Sequence, residues 1–421
     1  MSDLPVNPIS AAKRTWLYIF LFFKWLILAS MVGFFVGSAA TVFNHLLKFV
    51  TDYRNSHPVI LWFLPFAGLI IAFLYNSAKA GDSLSTDLVI SAVRDEARVP
   101  VKMAPLIFIA TALTHLFGGS AGREGAALQL GGSLGQFLGD RFDSNENEKK
   151  VLIMCGMSAA FSSLFGTPMA AAIFSLEIAS IGAMYYFALV PCVISSVIAV
   201  SLTSLSGIGP EKFHLAEFSI GMDNIGGIVL LAALCGGLSI IFCTSIHHFG
   251  HTLKKFLPNP YARVFAGGCA VVALTYLVGS RDYLGAGMNI IEHAVEGHVF
   301  IGAFILKLIF TGLTLGSGYK GGEIVPTLFV GATFGCAVAP LVGISPSLGA
   351  AIGMMALFCG VTNCPIASLL LAFELFSFSS PIIFMIAISI SFMLSGCYGL
   401  YSSQKIIYSK NMPDVINRTA H

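Results

Sequence analysis

Charge is nearly missing from two long runs of this chain. Residues 151–210 hold a single charged group, Glu177, and residues 324–404 hold one, Glu374. A membrane span needs about 20 mostly apolar residues, so each run is long enough for several spans and too apolar for a soluble core. Only 10% of all residues are charged, where a soluble domain carries about a quarter. The chain is therefore predicted to be an all-α polytopic membrane protein. Its net charge of +2, with no long Lys/Arg run, gives no sign of a nucleic-acid partner.

The nine cysteines are scattered through apolar segments without metal-site spacing and read as packing residues. The pair His247 and His251 has the i, i+4 spacing of metal ligands, but Lys254 and Lys255 follow, so an interfacial helix end is the better reading. Nothing calls for a metal, a cofactor or ATP. Lys13 and Arg14 precede an apolar segment that runs to about Val42, too long for a cleavable signal core. Basic clusters at 13–14, 94–102, 149–150, 254–263 and 405–418 place both termini in the cytoplasm. They cannot all lie on one side if every apolar segment crosses fully. Several segments are also short and broken by Gly or Pro, so some helices are expected to end inside the membrane.

Internal repetition organises the chain. Residues 106–135, "LIFIATALTHLFGGSAGREGAALQLGGSLG", are matched by 306–335, "LKLIFTGLTLGSGYKGGEIVPTLFVGATFG". Each has Thr-x-x-Thr, a Gly/Ser-rich break, a Gly-Glu turn and a new apolar helix. Downstream, "FGTPMAAAIFSLE" (165–177) matches "TNCPIASLLLAFE" (362–374), with Pro168 and Pro365 each nine residues before a Glu. The predicted organisation is a cytoplasmic segment at 1–15, repeats at 16–205 and 223–410, a linker at 206–222 and a cytoplasmic tail at 411–421.

Paired, glycine-interrupted helices in two halves point to a binding site between the halves. Irregular backbone survives at membrane depth only where protein or water satisfies it. A helix that starts there turns its N–H groups and positive end toward the site, which suits a small anion. An acid in such a place, Glu124, is functional by default.

These segments resemble a known family. "GREGA" resembles the GREGP signature of the CLC chloride channels and anion/proton antiporters, and "GGEIVP" resembles their GGxFxP signature. "FGTPMAAAIFSLE" is similar to FNAPLAGxLFxxEE, and "QKIIY" (404–408) to the GKPxY lead-in to the last helix. The resemblance implies two repeats of inverted topology, with broken and re-entrant helices, in a homodimer with one anion pathway per subunit. It implies a bacterial-type inner membrane, with halide anions, protons and the lipid bilayer as partners. Position by position, Glu124 falls on the gating glutamate, flanked by Gly122, Arg123 and Gly125. The backbone of Ile324 and Val325 falls on the anion-coordinating helix start, and Tyr408 on the tyrosine that contacts the central anion. Tyr401, in "GLYSS", fits less well.

The sequence departs from the family pattern in three places. Ile178 stands where coupled members carry a second, inner proton glutamate. "GDSLSTDLVI" (81–90) replaces the GSGxP segment, leaving Ser83, Ser85 or Thr86 to supply its hydroxyl. Ala126 replaces the proline of GREGP. The departures resemble the branch that includes fluoride/proton exchangers. The reading is halide transport, fluoride or chloride, by proton antiport gated by Glu124, with a passive chloride channel as the alternative. Glu177 and Glu374 are read as structural hydrogen-bonding groups. Glu323 reads as an outer-vestibule group or as bland. "GSGYKG" (316–321) has a faint likeness to a phosphate loop but lacks Gly-Lys-Ser/Thr. An intramembrane serine protease built on His115 and Ser120 is a remote third reading.

Overall fold

The computed structural model describes residues 11–79, 84–95, 97–215, 222–377 and 380–420. Its first eight helices are α1 (Ala11–Ser56), α2 (Leu64–Ser77), α3 (Thr86–Arg94), α4 (Met103–Phe117), α5 (Glu124–Arg141), α6 (Glu146–Phe165), α7 (Pro168–Glu177) and α8 (Leu189–Leu205). The next four are α9 (Met222–Phe256), α10 (Pro260–Val278), α11 (Met288–Val295) and α12 (Ala303–Ser317). Then come α13 (Ile324–Val338), α14 (Pro346–Thr362), α15 (Pro365–Leu375) and α16 (Pro381–Leu394).

Several apolar helices are too short to cross a membrane. Helices α4 and α12 have 15 residues each, α7 has 10 and α15 has 11. At 1.5 Å per residue, 15 residues give about 22 Å, against a hydrocarbon core of about 30 Å. Their ends are built alike in both halves. Gly118 and Gly318 close α4 and α12 in the left-handed region, with φ of 92° and 111°. Gly166 and Asn363 close α6 and α14 the same way, with φ of 72° and 60°, and Pro168 and Pro365 then start α7 and α15. A left-handed C-terminal residue followed by proline stops one helix and starts the next.

The tightest packing is repeated too. Helix α5 meets α6 where a Cβ on Gly131 would lie 2.2 Å from Gly156 O. Helix α13 meets α14 where one on Gly331 would lie 2.4 Å from Gly353 O. In a bilayer, helices associate through such close backbone approach rather than through burial from water. Glu177 accepts hydrogen bonds from Ile366 N (3.2 Å) and Ala367 N (2.9 Å) at the start of α15. Glu374 reciprocates with Met169 N and Ala170 N, both 2.9 Å, at the start of α7. The equivalent acids thus make the structural hydrogen bonds their symmetry in the sequence led us to expect, and each does so at a helix start of the other repeat.

The C-terminal segment differs from expectation. Residues Lys405–Tyr408 form a strand, β2, rather than the lead-in to a helix. It pairs in parallel with β1 (Ser180–Ile181) and antiparallel with β3 (Val415–Thr419), in the order β1-β2-β3. The β-branched run Ile406–Ile407 suits a strand, and Ile406 is buried against Ile181 and Ala420. The cysteines are all unpaired, and seven are buried.

Candidate anion site

Two helix starts, one from each repeat, meet at a single carboxylate. Before α5 and α13 the chain passes through Gly122 and Gly322, whose backbones pair across the repeats with N–O distances of 2.7 Å in both directions. Glu124 is the first residue of α5 and is fully buried. Its Oε2 accepts from Arg123 N at 3.0 Å and from Val325 N, in the first turn of α13, at 3.3 Å. Its Oε1 has no hydrogen-bond partner. The carboxylate therefore occupies the position that two helix dipoles and two backbone N–H groups make favourable for an anion.

Arg123 touches Glu124 only loosely, at 3.8 Å from Nε to Oε1. Its guanidinium is committed to Asn44 Oδ1 and Glu211 Oε1, both at 2.8 Å. It lines a cavity of about 670 Å³ together with Asn44, Lys48, Arg54, Glu211 and Arg281. The C-terminal part of α1, from Asn44 to Asn55, forms one wall of this cavity.

Hydroxyl groups also lie near the start of α5. Thr86 begins α3, is buried, and accepts from Gln129 Nε2 at 3.1 Å, while its own hydroxyl reaches Gly125 O only at 3.5 Å. Ser85 is its half-buried neighbour, and its side chain makes no cap hydrogen bond. Ser83 lies outside the described residues. Tyr401 is 2% exposed, its hydroxyl has no partner, and Glu323, Asp87 and Glu124 lie within its electrostatic reach. Its loop is pinned by Leu400 N to Val361 O (2.9 Å), by Ser403 N to Asp87 Oδ1 (2.8 Å) and by Gln404 Nε2 to Thr362 O (2.8 Å).

Tyr408 is elsewhere, and the assignment of the anion-contacting tyrosine to it has to be corrected. It ends β2, is 51% exposed and packs against Gly182. The strand at "QKIIY" leaves the Tyr408 side chain half exposed against Gly182, whereas the Tyr401 hydroxyl is buried. Glu124, Gly122, Arg123, Gly125, Val325 with its neighbour Ile324, and Thr86 do come together, while Ser85 makes no described contact with them. Glu323, the residue before α13, was given no firm place by the sequence. Its enclosed Oε2 has no partner and would lie 3.3 Å from a Cβ on Gly125, the residue after Glu124. Its position in the matched Gly-Glu turns was the available signal.

The protease arrangement is not formed. Ser120 Oγ bonds to Thr311 Oγ1 at 3.1 Å, and His115 Nδ1 faces Thr111 O at 3.0 Å. His247 Nε2 contacts Gly399 O at 3.1 Å, and among the described residues no cluster of metal ligands occurs.

A family model described as voltage gated chloride channel matches residues 67–396. The chain belongs to this CLC family. Among its relatives, the chloride/fluoride channel protein of Pseudomonas syringae pv. tomato is 34% identical, over 92% of this chain and 88% of that one. The H(+)/Cl(-) exchange transporter ClcA of Vibrio cholerae is 28% identical, over 84% of this chain and 82% of its own. Among solved structures, a CLC-type fluoride/proton antiporter has a TM-score of 0.87 at 30% identity. The match covers 92% of this chain and 99% of the antiporter. A slow cyanobacterial Cl-/H+ antiporter has a TM-score of 0.78 at 19% identity, covering 88% and 94% of the two chains, which places this CLC chain in the same fold.

Proposed function

We propose that this CLC chain exchanges a halide for protons across a bacterial inner membrane, with Glu124 as the moving gate. The observation that carries the reading is the buried Glu124 carboxylate on the N–H groups of Arg123 and Val325, one from each repeat. A carboxylate and a halide compete for those donors. Protonation removes the carboxylate's charge and weakens its hold, so an anion takes its place. The large cavity beside Arg123 carries four cations, Lys48, Arg54, Arg123 and Arg281, against four acids, Asp52, Glu211, Asp282 and Glu292, so it sets up no net positive field of its own. The hydroxyls of Thr86 and Tyr401 supply donors on the far side, in the place first assigned to Tyr408.

Ile178 leaves no inner carboxylate beside Glu177, so the proton route has to run through the site itself. Glu323 is suited to relay protons to Glu124 there. Fluoride is the favoured halide, because it appears in the names of both the Pseudomonas relative and the 30%-identical antiporter. We take residues 16–205 and 223–410 as repeats of inverted topology, which the reciprocal Glu177 and Glu374 caps support. The same reading gives a homodimer with both termini in the cytoplasm. The alternative is a passive channel of the same fold, favoured by the missing inner acid. Proteoliposome efflux of fluoride and of chloride, with simultaneous pH recording, decides between the two. Uphill proton movement driven by an anion gradient supports the exchanger, and its absence under every gradient rejects it.

A further inference from the structure

Asn363 ends α14 in the left-handed region, where its counterpart in the first repeat, Gly166, ends α6. Glycine takes that conformation at less cost than asparagine. The backbone at 363 therefore has no need of a side chain. Yet the Asn363 side chain is fully enclosed, and both ends of its amide are engaged.

One end faces the turn that carries Tyr401. Asn363 Nδ2 donates to Tyr398 O and to Gln404 Oε1, both at 3.0 Å, and these two acceptors flank the turn. A Cβ on Gly399 would lie 2.8 Å from Asn363 Nδ2, so the turn packs directly on the amide. Gln404 is also fully enclosed and continues the pattern. Its Nε2 donates to Ile178 O at 3.0 Å and to Thr362 O at 2.8 Å, which leaves Oε1 for Asn363. Its backbone N–H donates to Tyr401 O at 3.1 Å and closes the turn.

The other end of the amide faces Lys410, in the connection from β2 to β3. Lys410 Nζ donates to Asn363 Oδ1 and, at 2.8 Å, to Ser395 Oγ, and lies 4.6 Å from the centre of the Phe392 ring. An amide can face either way in its pocket, whereas an ammonium group only donates. Lys410 thus settles Asn363 with its oxygen toward the tail and its NH₂ toward the Tyr401 turn. Reversed, Asn363 would set its NH₂ against the lysine and its oxygen against two acceptors. A buried polar network is rigid when fully satisfied and costly when half-satisfied.

We propose that Lys410 is a positioning residue, which sets the Tyr401 turn through the Asn363 amide. Its bearing on transport rests on the reading of Tyr401 as a donor to the anion.

The test uses three variants of the full-length protein. Lys410→Met keeps the stem and removes the donor, Lys410→Arg keeps a cationic donor, and Asn363→Gly removes the amide but suits the backbone. Hydrogen–deuterium exchange at the amides of Leu400, Ser403 and Gln404 reads the turn, and fluoride and chloride efflux from proteoliposomes reads its effect. Lys410→Met should speed exchange about tenfold, as for one lost hydrogen bond from a charged group. It should also raise the halide concentration for half-maximal efflux. Lys410→Arg should restore protection. Lys410→Met added to Asn363→Gly should change exchange no further, because both act on one connection. Unchanged exchange in Lys410→Met overturns the proposal, and so does full additivity in the double variant. Faster exchange in Lys410→Met, with wild-type efflux both there and in Tyr401→Phe, upholds the proposal and overturns only the reading of Tyr401.

Discussion

Gly122 and Gly322 exchange two backbone hydrogen bonds of 2.7 Å, joining helix starts that lie 200 residues apart in the chain. The contact leaves no room for a side chain. A Cβ on Gly322 would lie 2.6 Å from Gly125 N and 2.9 Å from Glu124 N. The two N-termini that surround Glu124 are therefore held as one unit, and neither repeat alone supplies both N–H groups that the Glu124 carboxylate accepts from.

Gly322→Ala should accordingly prise the two starts apart. Backbone atoms cannot yield as a flexible side chain does, so the expected cost is about 1–3 kcal/mol, as for other overpacked sites. Halide efflux should fall sharply, because Val325 N would no longer face the Glu124 carboxylate. Thermal unfolding and efflux measured on the same preparation check both parts. Wild-type efflux in the variant would mean that the paired glycines do not set the site.

How much of this was legible in the sequence follows from what kind of contact each residue makes. The Gly-Glu turns at 122–125 and 321–324 recur in matched order in the two halves, and the helices they start are local structures, so Glu124 stood out by pattern, while Ile324 and Val325 were placed by the resemblance to the CLC signature. Structural hydrogen-bonding roles for Glu177 and Glu374 followed from the same symmetry, but that each caps a helix of the other repeat is seen only in the fold. Tyr401 could not be placed that way, because its position depends on a loop pinned by Val361, Asp87 and Thr362, all distant in sequence. The strand at Lys405–Tyr408 was missed for a related reason. Its first partner is only two residues long, Ser180–Ile181, and leaves no periodic signal.

The two tyrosines separate cleanly in a paired experiment. Tyr401→Phe removes a buried, unpartnered hydroxyl within electrostatic reach of Glu323 and Glu124, a donor worth roughly 0.5–1.5 kcal/mol to a bound anion. Its halide selectivity or turnover should change several-fold while the protein stays folded. Tyr408→Phe alters a half-exposed side chain at the end of a strand, and its efflux should match wild type for every halide. The reverse pattern, read from efflux rates across fluoride and chloride, would restore Tyr408 to the site.

Glu177→Gln should act on stability rather than on coupling. The carboxylate accepts from Ile366 N and Ala367 N, and an amide keeps one acceptor oxygen while turning an NH₂ toward the second donor. The expected loss is about 1–3 kcal/mol, the cost of leaving a buried donor unsatisfied. Glu374→Gln, at the half-buried equivalent position, should cost less. Unfolding midpoints give the order of the two, and the ratio of anion to proton flux should stay unchanged in both. A changed ratio in Glu177→Gln would mean that this acid carries protons despite Ile178 beside it.

The division of labour between Glu124 and Glu323 gives the most demanding test. If Glu124 swaps places with the halide, lowering the pH protonates it, weakens its hold on the two N–H groups and speeds anion exchange. Glu124→Gln is neutral at every pH, so its anion flux should lose this pH dependence and its proton flux should vanish. Glu323→Gln should slow proton delivery but keep the pH response, because the gate itself still titrates. One carboxylate exchanging with one anion implies about one halide per proton, since a single acid carries a single proton per cycle. Ile178→Ala should leave that ratio intact, because no carboxylate at 178 is needed. The reversal potential of halide flux, measured against a set pH gradient, reads the ratio directly. A reversal potential in the wild-type protein that ignores the pH gradient would reject exchange in favour of a passive channel. Residual proton pumping in Glu124→Gln would instead move the gate to Glu323.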